Sequence, residues 1–340
     1  MKRFLNALVA SVLLLLGTGL LIYPSAASWK AQWDQSHLIA TYTDRVDRAK
    51  PTKDEQLAMA RRYNAALASG AVLGENERIP SGTGSFPQGT DLERIAPYAQ
   101  ELNAGDDGFM ARLRIEKIDV DLPVYHGTSD ETLLKGAGHL EGTSLPVGGT
   151  STRSVISAHR GMASATMFTN LDKVTIGDTF TIEVFGEVLT YRVISTKVVE
   201  PDASEEVLVE EGRDLVTLIT CTPLGINTHR ILVTGERVLP TPAADLDKAG
   251  NASGLPHFPW WALILTVVVL AISLYLVREA VLLRRARRHT ADEPPAQDSS
   301  ISVPTAPTGR RPRAAHRGRR RRGKGRAVRI EGVGHAPLST

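Results

Sequence analysis

The chain has a single cysteine in 340 residues, Cys221, so it can form no internal disulfide and no thiolate metal cluster. Its nine histidines include no His-x-His pair, and no glycine-rich phosphate loop of the nucleotide-binding form occurs. Neither a metal nor another cofactor is therefore expected. No internal repeat is apparent, which argues against a solenoid. Charge is missing over two stretches: residues 7–23 and 258–277 hold no Asp, Glu, Lys or Arg. With 42% hydrophobic and 23% charged residues, the composition suffices for one sizeable globular core plus extensions.

The formal net charge of +3 is the sum of three unlike regions. Residues 1–30 carry +3, residues 31–277 carry −11 and residues 278–340 carry +11. Lys2 and Arg3 precede the first apolar run in the manner of an export signal, and Ser25-Ala26-Ala27 offers a small-residue cleavage site. The run is also long enough to approach a membrane span, so a cleaved signal peptide and a signal anchor both stand. The second run matches the ~20 residues of a transmembrane helix. Trp260, Trp261 and Tyr275 lie near its ends, and Arg278, Arg284, Arg285, Arg287 and Arg288 follow it. Aromatic rings favour the bilayer interface and arginines its cytoplasmic side. Both termini are thus expected inside the cell membrane and residues 30–257 outside it.

Residues 29–69 are enriched in Ala, Arg, Gln and Glu and read as helical, with Gly70 as the stop. The stretch 70–91, GAVLGENERIPSGTGSFPQGTD, is dense in Gly, Pro, Ser and Thr and reads as a long exposed loop, either a functional cover or disordered. From Phe109 the pattern turns to β, with runs at 110–118, 121–126, 153–159, 179–185, 187–200, 216–221 and 230–238. Seven or eight short strands separated by turn signals describe a closed barrel or a sandwich. Short helices are expected at Glu131–Lys135 and around Ala163–Leu171. The tail after Arg288 joins a low-complexity stretch, 289–309, to an arginine cluster, 310–329, with too few large apolar residues for a core. Beside a membrane span, that charge suits anionic lipid headgroups better than nucleic acid.

Cys221 ends the run VTLITC and Arg230 opens RILVTGERV, with Pro223 and Gly225 in the connection. This spacing sets a thiol and a guanidinium at neighbouring strand ends. A lone cysteine by itself fits a small buried hydrophobe. In an exported domain, where the surroundings are oxidising and no partner thiol exists, a reactive cysteine is the better reading.

VISAHRG (155–161) followed by TLITCTPLGINTHR (217–230) resembles the sortase family of cysteine transpeptidases, most closely its pilus-assembling class C branch. The likeness runs from about Leu102 to Pro240 and includes YHGTSDETLLKGAGHLEGTSLPVGG (125–149) and MFTNLDKVTIGDTF (167–180). It implies a mostly β fold, a closed sortase-type β-barrel of about eight strands with short helices, a helical and lid-like N-terminal segment and two transmembrane helices. The expected division is a signal-anchor at 1–29, the helical segment and lid-like loop at 30–101 and the catalytic barrel at 102–240. A linker at 241–257, a transmembrane helix at 258–277 and a basic disordered cytoplasmic tail at 278–340 complete it. In class C sortases the N-terminal segment covers the active site, usually through an Asp-Pro-aromatic motif. This chain lacks that tripeptide, and Phe86-Pro87 is the nearest substitute.

By the same resemblance Cys221 is the nucleophile, His159 the proton-transfer partner and Arg230 the donor to the tetrahedral oxyanion. A thiolate attacks a carbonyl only with a base or positive charge nearby. An imidazole at a strand end can protonate a leaving amine and deprotonate an incoming one. His126, His139 and His229 are the competing imidazoles, and the family position selects His159. A guanidinium offers a rigid fork of donors that lysine lacks. Thr220, Leu224 and His229 are candidates for the substrate groove, Leu224 standing where relatives commonly have Tyr. The implied reaction cleaves an LPXTG-type sorting signal after Thr, forms a thioacyl enzyme and passes the acyl group to a pilin lysine. Its partners would be pilins or surface proteins of a Gram-positive cell wall. A housekeeping sortase acting on a cell-wall precursor, an exported thiol peptidase using water, and a non-catalytic membrane-tethered assembly factor are the alternatives.

Overall fold

The computed structural model describes residues 2–68, 97–105 and 107–291, with backbone only for 286–291. Eight strands form a closed barrel: β1 (Phe109–Ile115), β2 (Val120–His126), β3 (Ala137–His139), β4 (Thr152–Ser157), β5 (Thr179–Val184), β6 (Glu187–Val199), β7 (Asp214–Thr222) and β8 (His229–Arg237). They follow the order β1-β2-β3-β4-β7-β8-β6-β5 around the barrel. The β2–β3 and β4–β7 pairs are parallel and the rest antiparallel. Closure removes the free sheet edges that an open eight-stranded sheet would expose.

Period-two alternation fills the interior. Ile156 of β4, Val216 and Leu218 of β7, and Ile231 and Val233 of β8 belong to one core with Phe180 and Tyr191. The β5–β6 hairpin turns through Phe185 and Gly186, both at positive φ (46° and 81°), the two-residue geometry whose twist matches that of its strands. Phe185 holds this conformation with its ring buried against Tyr42.

The helices are α1 (Lys2–Ala40), α2 (Tyr42–Arg48), α3 (Lys53–Ala68), α4 (Asp130–Lys135), α5 (Ala243–Leu246) and α6 (Trp260–Ala291). The N-terminal helix and α6 are each long and apolar enough to cross a membrane. The apolar run of α1 continues unbroken into a segment that reaches the barrel. Tyr42 follows it: its phenol donates to Met110 O at 2.8 Å and accepts from Phe185 N at 3.0 Å. Burial raises that phenol's pKa and keeps it protonated. The chain's four tryptophans lie at 29, 33, 260 and 261. Trp29 stacks on Trp33 with centroids 5.5 Å apart, meets Trp261 edge-on at 6.1 Å and donates Nε1–H to His257 O at 2.9 Å. The two apolar helices therefore touch at one aromatic level, the arrangement rings adopt at a bilayer interface.

Three local readings of the sequence need correction. No α-helix spans Ala163–Leu171; the chain makes turns there and a 3-10 turn at Leu171–Lys173. Tertiary contacts override its helical composition: Phe168 N–H is bonded to His159 O at 3.0 Å, and Ala165, Met167 and Phe168 are buried. Strand β3 escapes a pattern search because it is three residues long and holds Gly138. A Cβ there would come within 2.3 Å of Gly127 O, so glycine is required for the close approach. The stretch 241–257, expected as a linker, is fastened to the barrel. Arg112 Nη1 donates to Asn251 O at 2.8 Å, Thr190 Oγ1 to Asp245 at 2.7 Å, and Gly250 N to Glu183 at 2.9 Å. The lid candidates Phe86 and Pro87, and the tail beyond Ala291, lie outside the described residues.

Candidate active site

Two strand registers bring the predicted reactive residues to one place. Strands β4 and β7 pair in parallel from Thr152↔Asp214 to Ser157↔Ile219. The last backbone bond of that seam runs from Ala158 N to Ile219 O at 3.2 Å. That seam stops one residue short of His159, which follows β4 in the chain. On the other side of β7, the antiparallel register with β8 pairs Cys221 directly with Arg230. Cys221 and Arg230 thus face each other at one end of β7 and β8, and His159 follows the adjacent end of β4.

Alternation decides which face they share. Val216 and Leu218 point into the core, and Thr220 is buried in phase with them, so Thr217, Ile219 and Cys221 lie on the outer face. On β8, Ile231 and Val233 point inward, leaving Arg230, Leu232 and Thr234 outside. On the β4 side Ile156 and Ala158 belong to the core, and His159, just past the strand, is partly exposed. The 3.1 Å contact between the Thr217 and Thr234 hydroxyls confirms the shared outer face. Cys221, His159 and Arg230 are all partly exposed, as groups that must meet a reactant have to be.

The remaining candidates separate clearly. Thr220 does not line the outer groove: it is 2% exposed and its hydroxyl donates to Ala158 O at 2.7 Å, tying β7 to the residue before His159. Leu224 is exposed in the β7–β8 connection. His229 faces Glu200 at 3.1 Å and the Thr228 hydroxyl at 2.9 Å, bridging the start of β8 to the end of β6. His139 is fully buried, with Nε2–H donating to Ser144 O at 2.9 Å and Nδ1 facing the Tyr98 hydroxyl at 2.9 Å. Burial pushes it down to about 4, so it is a neutral structural group. Burial also lowers His126, whose ring nitrogens face Gly108 O and Glu101 O.

Arg230 is aimed by its own loop. Its Nη1 donates to Asn227 O and His229 O, both at 3.0 Å, while Nε and Nη2 make no hydrogen bond among the described residues. The fork is oriented by backbone and keeps donors for a ligand oxygen.

Comparison with known proteins identifies the domain that holds these residues. A sortase-domain profile matches residues 113–238, from β1 through β8. The sortase C1 structure of Streptococcus agalactiae is 37% identical and covers 61% of this chain and 100% of that one, with a TM-score of 0.52. The chain belongs to the sortase family. A second solved sortase, sortase C-1 of Streptococcus pneumoniae, is 39% identical over 60% of this chain and 100% of that one, with a TM-score of 0.50. Among curated proteins, Sortase D of Bacillus subtilis (strain 168) is 30% identical over 130 residues, 37% of this chain and 62% of that protein. This sortase spans about three-fifths of the length of the curated relatives it matches.

One residue that shapes the sortase face is absent from any sequence-level list. Arg153, on β4, is 3% exposed. It donates to Thr217 Oγ1 at 3.0 Å, Glu206 O at 3.1 Å and Glu210 at 2.5 Å, pinning the β6–β7 connection over the outer face. The only sequence signal was an arginine near the start of a β-type run, where a buried charge must find partners.

Proposed function

We propose that this chain is a membrane-anchored class C sortase, a cysteine transpeptidase that joins pilin subunits. The observation that supports the reading is the pairing of Cys221 with Arg230 across β7 and β8, next to the parallel β4–β7 ladder that ends just before His159. Cys221 Sγ attacks the carbonyl of Thr in an LPXTG-type signal, and Arg230 donates to the oxyanion as the tetrahedral carbon forms. The C–N bond then breaks, His159 gives its proton to the departing amine, and the acyl group stays on sulfur as a thioester. A lysine amine of another pilin attacks that thioester. Its proton passes to His159, the C–S bond breaks, and an isopeptide bond results.

The 37% and 39% identity to the two solved sortases C, over 61% and 60% of this chain, supports the class C reading, and the two apolar helices support anchoring. A housekeeping role, transfer to a cell-wall precursor, is the second reading; the additional C-terminal helix α6 favours the first. With both termini cytoplasmic, protease added to intact protoplasts should digest residues 30–257 and spare the tail. The test of the reaction is product analysis with a sorting-signal peptide and a pilin-derived lysine peptide. An isopeptide-linked product formed faster than free acid is expected. Hydrolysis alone, unaffected by the amine, would make the protein a thiol peptidase.

A further inference from the structure

The parallel ladder between β4 and β7 ends at Ala158, before the histidine that the mechanism needs. Something else must hold the loop from His159 onward against the strand that carries Cys221. The neighbouring residue, Arg160, does so. Its side chain is 8% exposed. Nη1 donates to Thr222 Oγ1 at 2.8 Å, Nη2 pairs with Asp172 at 3.0 Å, and Nε donates to Thr169 O at 3.2 Å. Thr222 follows Cys221 on β7, while Thr169 and Asp172 belong to the far side of the loop that His159 begins.

His159 is thereby bracketed on both sides. Before it, the Thr220 hydroxyl is bonded to Ala158 O; after it, Arg160 is bonded to the Thr222 hydroxyl. Its own carbonyl accepts from Phe168 N at 3.0 Å, closing the loop on itself. Gly161 completes the arrangement. It sits at φ 77°, and a Cβ there would lie 2.5 Å from the Leu224 side chain, so the loop turns away hard against the β7–β8 connection.

We propose that Arg160 is a positioning residue: by cross-linking the loop after β4 to the end of β7, it fixes the His159 imidazole against the Cys221 thiol. The inference rests on the transpeptidase reading of those two side chains. A planar three-nitrogen fork is needed because the acceptors lie on different segments, and the single ammonium of lysine cannot reach all of them at once.

The test uses the full chain in detergent, a quenched LPXTG-type peptide as substrate and iodoacetamide as a probe of the thiol. Arg160→Gln should lower kcat about 30-fold with KM within about twofold, as misplacing a reacting group by a fraction of an ångström does. It should also alter the pH dependence of Cys221 alkylation, which a purely structural arginine would leave unchanged. Arg160→Lys should recover only part of the rate. Thr222→Val removes one hydroxyl and should lower kcat about threefold in the same sense with the protein still folded at the assay temperature, so it decides the matter if Arg160→Gln does not fold. Wild-type kcat and alkylation profile in both variants, or a loss that merely tracks the unfolded fraction, would overturn the proposal. Cys221→Ala and His159→Ala run alongside: activity in either means that the reading of the site has failed, not the role of Arg160.

Discussion

The two ends of β7 treat polar groups in opposite ways. At the Asp214 end every named group is matched. Asp214 accepts from Gly149 N at 2.9 Å and the Tyr191 hydroxyl at 3.1 Å, and Arg213 is paired with Glu236 at 3.0 Å. A cleft of about 680 Å³ opens there, yet the side chains around it already answer one another. At the Cys221 end the thiol is unpaired and partly exposed, and Arg230 is steered by two carbonyls while two of its nitrogens stay uncommitted among the described residues. Space alone does not mark a reactive centre. Groups that are held in place but left unanswered do, because their hydrogen-bonding capacity is reserved for the reactant.

Substitutions at the Cys221 end should cut the rate while those at the Asp214 end should not. His159→Ala is expected to lower turnover roughly 100-fold or more, since both half-reactions move a proton through that site. Greater dependence on His229 than on His159 in parallel assays would reassign the base. Arg230→Lys keeps the charge and loses the fork; it should fold normally and lose about 30-fold in kcat. Kinetics near wild type for that variant would make the arginine structural.

Smaller effects belong to matched groups. His139 is pushed down to about 4 in the fold, against 6.5 in the unfolded chain. A depressed pKa stabilises above the unfolded value and that stability is lost as pH falls through the window from 6.5 to about 4. The size is about 3 kcal/mol. Unfolding midpoints measured at pH 7 and 4.5 should therefore converge for His139→Gln more than for the wild type; equal slopes would remove the histidine from the acid response. Asp214 shows the opposite sign, because burial raises its pKa despite the bond from Gly149. Its contribution is full below the unfolded pKa and declines as pH rises through the folded one. Asp214→Asn at pH 7 should cost no more than about 1 kcal/mol and leave kcat within about twofold, and a larger kinetic loss would erase the contrast between the strand ends.

Much of this was legible because strands obey a short period. The runs around Val216 and Ile231 could be read from β-branched residues, and the strand ends they fix are where Cys221 and Arg230 stand. The pairing of β4 with β7 was not legible, since parallel neighbours far apart in sequence leave no local mark. That pairing carries the chain beside β7 as far as Ala158, next to His159. Thr220, a groove candidate by its place beside the thiol, is buried, because adjacent residues on a strand face opposite ways. Arg153 and Arg160 read as ordinary charges, and only their burial and their acceptors separate them from solvated ones. The helical composition of 163–171 lost to the contacts of Phe168 and Met167, which no window of local sequence contains.

The central claim is that Cys221 is the nucleophile of this face, and peptide mapping of the trapped intermediate tests it most directly. The full chain is mixed with an LPXTG-type peptide, quenched in acid, digested and analysed by mass spectrometry. The account predicts one thioester adduct, on the peptide containing Cys221, absent from Cys221→Ala and discharged by a lysine amine. An adduct on any other residue, or turnover that survives in Cys221→Ala, would contradict it.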